Sequence, residues 1–80
     1  MNKMEHDNVN EFIEIIQNLD MDDLLIFEKA LALSNEKEQR VCLKESKHLN
    51  GALYNAYCAR VLVTDPVYYI KKEIDLHHNK

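Results

Sequence analysis

The sequence predicts an all-α fold, a small bundle of three to four helices around one long central helix, and three observations carry that expectation. Gly51 and Pro66 are the only glycine and proline among 80 residues, a shortage that disfavours sheets joined by tight turns. Apolar residues recur at spacings of three and four, which lays them along one face of a 3.6-residue helix. Capping residues stand where the apolar runs begin or restart, and their side-chain oxygens satisfy backbone N–H groups that a helix leaves free.

The central stretch is Ser34–Val63. Cys42, Leu49, Ala52, Leu53, Ala56, Ala59 and Val63 form its stripe, and no proline interrupts it. Ser34 or Asn35 serves as N-cap, with Glu36 and Glu38 in the first turn where the dipole favours acids. Pro66 disfavours helical geometry at Asp65, so the helix is expected to stop by about Thr64. From Asn35 to Lys47 only Val41, Cys42 and Leu43 are apolar, and most of that surface must face water. From Leu49 onward apolar residues go almost all the way round, which implies cover on several sides. At about 1.5 Å per residue the helix outruns a small core, so one end is expected to protrude or meet a partner.

The remaining elements follow in order. Residues 1–7 are polar around an isolated Met4 and read as frayed. Asn8 followed by Glu11 resembles a capping box, and Val9, Phe12, Ile13, Ile16 and Leu19 mark the first buried face. Asp20-Met21-Asp22-Asp23 reads as a restart with Asp20 as N-cap, or as a kink within one longer helix. Leu24, Leu25, Phe27, Leu31 and Leu33 carry the second helix, and the short join that follows predicts an antiparallel neighbour. Asp65 caps a last helix with Pro66 at its first position, where a missing N–H is harmless, and Val67, Ile70 and Ile74 form its inner stripe. Residues 77–80 read as a loose cationic tail. The whole chain, 1–80, is expected to form one domain.

Size and charge restrict the functional classes. A domain of 80 residues buries only about 60% of its unfolded surface, so its stability is marginal. Cys42 and Cys58 on one rigid helix are roughly 24 Å apart in rise, too far to bond to each other. Reduced thiols in a cytoplasmic protein are expected, with an intermolecular disulfide as the sharper alternative. No basic stretch leads into an apolar core and no apolar run reaches membrane length, so neither signal peptide nor membrane span is expected. Net charge is −4, unevenly spread. Residues 1–36 hold nine acids against two bases, a net of −7, while residues 37–80 hold eight bases against five acids, a net of +3. Either the halves dock on one another, or a bipolar surface meets a charged protein partner.

Site-like groupings are sparse. Asp20, Asp22 and Asp23 lack the glycine and distal glutamate of a calcium loop, and capping accounts for them. His77 and His78 are adjacent rather than one turn apart, a poor metal pair. His48 shares a helix with Ser46 and Cys42, but nothing orients the imidazole and no glycine-rich loop supplies an oxyanion site. No catalytic residue, metal, cofactor or small-molecule substrate is therefore expected. A helix-turn-helix reading of the second and third helices meets Asn35-Glu36-Lys37-Glu38, whose acids repel phosphates, which argues against direct nucleic-acid binding. Lys44, Lys47, Lys71 and Lys72 leave room for weak backbone contact. Four tyrosines concentrate at the far end of the central helix and just beyond it. They read either as a core edge with wet hydroxyls or as an interface, for which Tyr is a favoured residue.

Two short helices, the Leu33-Ser34 join before Asn35-Glu36, a long helix with His48 near its middle and a Pro66-led helix with Val67 and Ile70 together make a layout similar to the Hha/YmoA-type expression modulators of enteric bacteria. The likeness spans most of residues 11–74. It implies a small helical protein that binds the nucleoid protein H-NS and modulates gene silencing. Where that family carries an acid immediately before the histidine, this chain carries Lys47. The reading from the residues themselves is a non-enzymatic cytoplasmic protein acting by protein–protein association, as adaptor, chaperone, regulator or homodimer. Its expected contact surface is Tyr54, Tyr57, Val61, Leu62 and Tyr69.

Overall fold

The computed structural model describes residues 3–46 and 51–79, with side chains from Asn8 onward. Every regular element among them is helical: α1 (Lys3–Gln17), α2 (Met21–Ala32), α3 (Glu36–Leu43), α4 (Gly51–Ala59), a 3-10 turn (Arg60–Leu62) and α5 (Pro66–His78).

The caps fall largely where the chemistry of the sequence put them. Asp20 accepts the Asp23 amide at 2.8 Å from an extended backbone, so α1 and α2 are separate helices rather than one kinked rod. Asn35 accepts the Lys37 and Glu38 amides at 2.8 and 3.3 Å. Asp65 accepts the Tyr68 amide with Pro66 opening α5. Asn8 departs from the pattern. It lies inside α1, which already runs from Lys3. At the other end α5 continues through His78, beyond the expected start of a loose tail at His77.

The single helix expected over Ser34–Val63 is not what the described residues form. α3 ends at Leu43, and the next amides bond back three residues: Lys44 to Val41 at 3.2 Å, Glu45 to Cys42 at 3.0 Å and Ser46 to Leu43 at 3.3 Å. Such bonds tighten and close a helical end. Ser46 then turns inward and its hydroxyl donates to the buried Asp23 carboxylate. Leu49 of the expected stripe and the candidate His48 lie outside the described residues, and regular helix resumes at Gly51. Straight, a 30-residue helix would be about 45 Å long. The molecule measures 35 × 33 × 21 Å with a radius of gyration of 12.1 Å, so the rod is broken rather than left to protrude.

Breaking it lets each half find its own partner. α3 packs on α2, while α4 packs mainly on α1 and α5 lies across α2 and α1. Successive α2–α3 contacts run in opposite directions, Leu33 with Gln39, Ile26 with Cys42 and Asp23 with Ser46, which makes these two helices antiparallel. The core gathers Phe12, Ile16, Leu24, Phe27, Leu53 and Ile70, all fully buried. Phe12 meets Phe27 and Tyr69 edge-on, at centroid distances of 6.2 and 6.5 Å, a favourable arrangement for ring quadrupoles. Leu25, expected inside, is instead exposed, and Val67 sits at the rim of the inner stripe.

Candidate protein interface

The corner between α4 and α5 is built by a change of helical period. After Ala59 the chain tightens into the 3-10 turn, closed by the Val63 amide bonding to the Arg60 carbonyl at 3.1 Å. With three residues per turn, Arg60 and Val63 fall on one edge. Val63 is buried and Arg60 half-buried, while Val61 and Leu62 stand in solvent at 69% and 57% exposure. Asp65 then restarts the chain as α5, and the exposed side chains of Val67 and Tyr68 follow at once. Four of the eight large exposed apolar side chains among the described residues thus lie between positions 61 and 68, a concentration that marks the corner as the outstanding apolar surface.

Of the five residues expected at a contact surface, Val61, Leu62 and Tyr54 are exposed and Tyr69 is half-buried beneath Tyr68, with ring centroids 5.2 Å apart. Tyr57 is not at the surface. It is 3% exposed, and its hydroxyl lies 3.4 Å from Gln39 Oε1 and accepts from Arg60 Nη2 at 3.1 Å. The spacing of Tyr57 and Val61 shares a face only if the α-helix continues, and it stops at Ala59. Within α4 itself, Tyr57 is turned inward toward Gln39 and Arg60 while Tyr54 stays exposed. Tyr68 is the exposed ring that the spacing argument passed over, although Ile70 and Ile74 on the inner stripe already point it outward.

Beside Leu62 runs an open groove of about 500 Å³ between α1 and α4, with Ile15, Cys58 and Ala59 in its lining and Glu11 and Glu14 among its polar walls. The corner is therefore apolar with an acidic flank. On the other side of α4 a polar knot ties three helical segments together. Gln39 Nε2 donates to the Leu33 carbonyl at 2.6 Å, and Arg60 Nη2 donates to Gln39 Oε1 at 2.6 Å. The Arg60 guanidinium also stacks 4.5 Å from the Tyr57 ring centroid, a cation–π arrangement. The nearby Tyr57 hydroxyl, then Glu36 and Tyr54, hold the Arg40 guanidinium above its ordinary pKa.

The acids of the supposed cluster have separate tasks: Asp20 caps α2, Asp23 meets Ser46 inside, and Asp22 faces solvent. Among the described residues no group of three or more His, Cys, Asp or Glu side chains converges. No helix among them is long and apolar enough to cross a membrane. Cys42 is buried and Cys58 exposed, both as free thiols. Fold and site together define a chain that is all-helical among its described residues and carries an exposed apolar corner. Compared with known proteins, the chain matches no family model, no curated protein and no solved structure.

Proposed function

We propose that this protein is non-enzymatic and acts by protein–protein association, as an adaptor, chaperone or regulator in the cytoplasm, with Val61 and Leu62 at the centre of its contact surface. The observation that carries this reading is the exposure of Val61, Leu62, Val67 and Tyr68 within one corner. A folded chain of this size gains by burying such side chains, at about 25 cal/mol per Å² of apolar area. Tyr54 extends the surface and the acidic groove flanks it, so a partner presenting apolar side chains beside bases is complementary. A second copy is the partner to test first.

Light scattering and affinity capture from the native cell, run on the parent chain and on Val61→Glu and Leu62→Glu, test the reading. At exposed positions these substitutions change folding stability by only about 0.5 kcal/mol, whereas a buried charge at a contact centre weakens association by about tenfold or more. A chain that is monomeric and captures nothing, or whose complexes survive both substitutions, is not an association protein through this corner. Capture of an H-NS-like protein would identify the partner as the one the sequence resemblance implies.

A further inference from the structure

The outer side of α5 is an amphipathic face turned to solvent. Ile70 and Ile74 point into the core, which leaves Tyr68, Lys72 and Leu76, at steps of four residues, along the opposite side with Lys71 and Asp75 beside them, all exposed. Two bases against one acid give this face a net charge of +1. The groove between α1 and α4 has the opposite sign. Glu11 and Glu14 line it one turn apart on α1, no base lines it, and Ile15, Ala59 and Leu62 supply its apolar part. The sequence holds no Lys or Arg from Met4 to Glu28. The two ion pairs among the described residues use none of Glu11, Glu14, Lys71 and Lys72, and all four of these side chains are exposed. The lengths also agree, since at 1.5 Å per residue Tyr68 to Leu76 spans about 12 Å and the groove wall from Asn8 to Ile15 about 10 Å.

We propose that this groove receives the outer face of α5 from a second copy of the chain, and that the exchange is mutual, giving a twofold dimer about the Val61–Leu62 corner. The inference rests on the reading of that corner as a contact surface and names its partner. Leu62 lines the groove and α5 begins four residues later at Pro66, so groove and face flank one corner, as a self-complementary patch requires. In each half of the dimer Lys71 and Lys72 meet Glu11 and Glu14, while Tyr68 and Leu76 lie on the apolar lining, the manner in which an amphipathic helix enters a groove. Burial of the apolar side chains supplies affinity, and the charges fix the register. A chain cannot fill its own groove in this way, because Ile70 and Ile74 hold the inner side of its α5 in its own core.

Sedimentation equilibrium of the full chain, with a reductant present to keep Cys58 as a thiol, tests the proposal. The parent is expected to be a dimer. Lys71→Glu with Lys72→Glu, and separately Glu11→Lys with Glu14→Lys, set like charges across both contacts and are expected to weaken dimerisation about tenfold or more. Mixed in equal amounts, the two reversed chains are expected to recover the parent's affinity, because each contact of a mixed dimer again pairs opposite charges. The four positions are exposed, and circular dichroism checks that both variants fold. A parent that stays monomeric, or reversed chains that dimerise like the parent or fail to recover on mixing, overturns the proposal. Dimers lost to Leu62→Glu but indifferent to both reversals keep the corner as a contact surface and remove α5 from it. A monomeric parent that captures another protein, in a complex lost to Leu62→Glu, keeps the corner and removes the second copy. Dimers indifferent to every one of these substitutions sink the corner reading as well.

Discussion

Cys42 shows how one atom's surroundings set its chemistry. Its thiol is buried at the α2–α3 seam, within 3.8 Å of the Ile26 carbonyl, whereas Cys58 stands in solvent. Burial disfavours the thiolate and, with Glu45 nearby, raises the Cys42 pKa. Since the thiolate is the nucleophile, alkylation followed by mass spectrometry at mildly alkaline pH should label Cys58 first and Cys42 only on unfolding or at higher pH. The linkage has a definite sign. A thiol whose folded pKa is raised contributes stability that is whole below the unfolded value of roughly 8.5 and is lost as pH rises through the folded value. Urea unfolding of the parent chain should therefore weaken across that alkaline window more steeply than unfolding of Cys42→Ala.

The break after α3 is the structural event on which the other elements depend. Ser46 leaves the helix to bond Asp23, which sits at the third position of α2 and is 3% exposed. Removing one partner of a buried hydrogen bond strands the other, at a cost of about 1 to 3 kcal/mol. Ser46→Ala is accordingly expected to lower the unfolding free energy by that amount, measured by urea denaturation, while Ser34→Ala at an exposed, uncapped position should change it by less than about 0.5 kcal/mol. Equal effects of the two would show that the Asp23–Ser46 bond does not hold the turn. The second break, from α4 into the 3-10 turn, takes Val61 off the face of the buried Tyr57 and leaves it in solvent.

At the scale of the molecule, the charge asymmetry of the chain does not translate into docking of an acidic half on a basic one. Two ion pairs among the described residues join the halves. Lys29–Glu45 at 3.5 Å uses a base of the acidic half and an acid of the basic half, Arg40–Glu36 at 3.1 Å is a local pair one turn apart within α3, and all four side chains are more than half exposed. Such pairs contribute about 0 to 1 kcal/mol and are screened within about 10 Å at 0.1 M salt. Thermal unfolding in low and high sodium chloride should thus agree to within about 1 kcal/mol, and a larger loss of stability in salt would restore the docking explanation. What holds the halves together is the shared core, where Phe12 and Ile16 of α1, Leu24 and Phe27 of α2, Leu53 of α4 and Ile70 of α5 are fully buried.

Helical class and caps were legible in the sequence because both are local: Asp20, Asn35 and Asp65 bond amides two or three residues away, and the apolar period records which side of a helix turns inward. The exposed pair Val61 and Leu62 was legible too, as apolar surface beyond what short helices cover. Tertiary structure alone decided where the long helical pattern breaks, since nothing local to Lys44–Ser46 forbids a helix, and the inward pull on Ser46 comes from Asp23, 23 residues away. It also decided that Tyr57 belongs to the core, because Gln39 and Arg60 meet its hydroxyl only once α3 and α4 are folded apart and packed side by side. Short-range bonds can be read from spacing, whereas a side chain claimed by partners 18 or more residues away cannot, because its orientation is set by the competition between whole helices for the same buried volume.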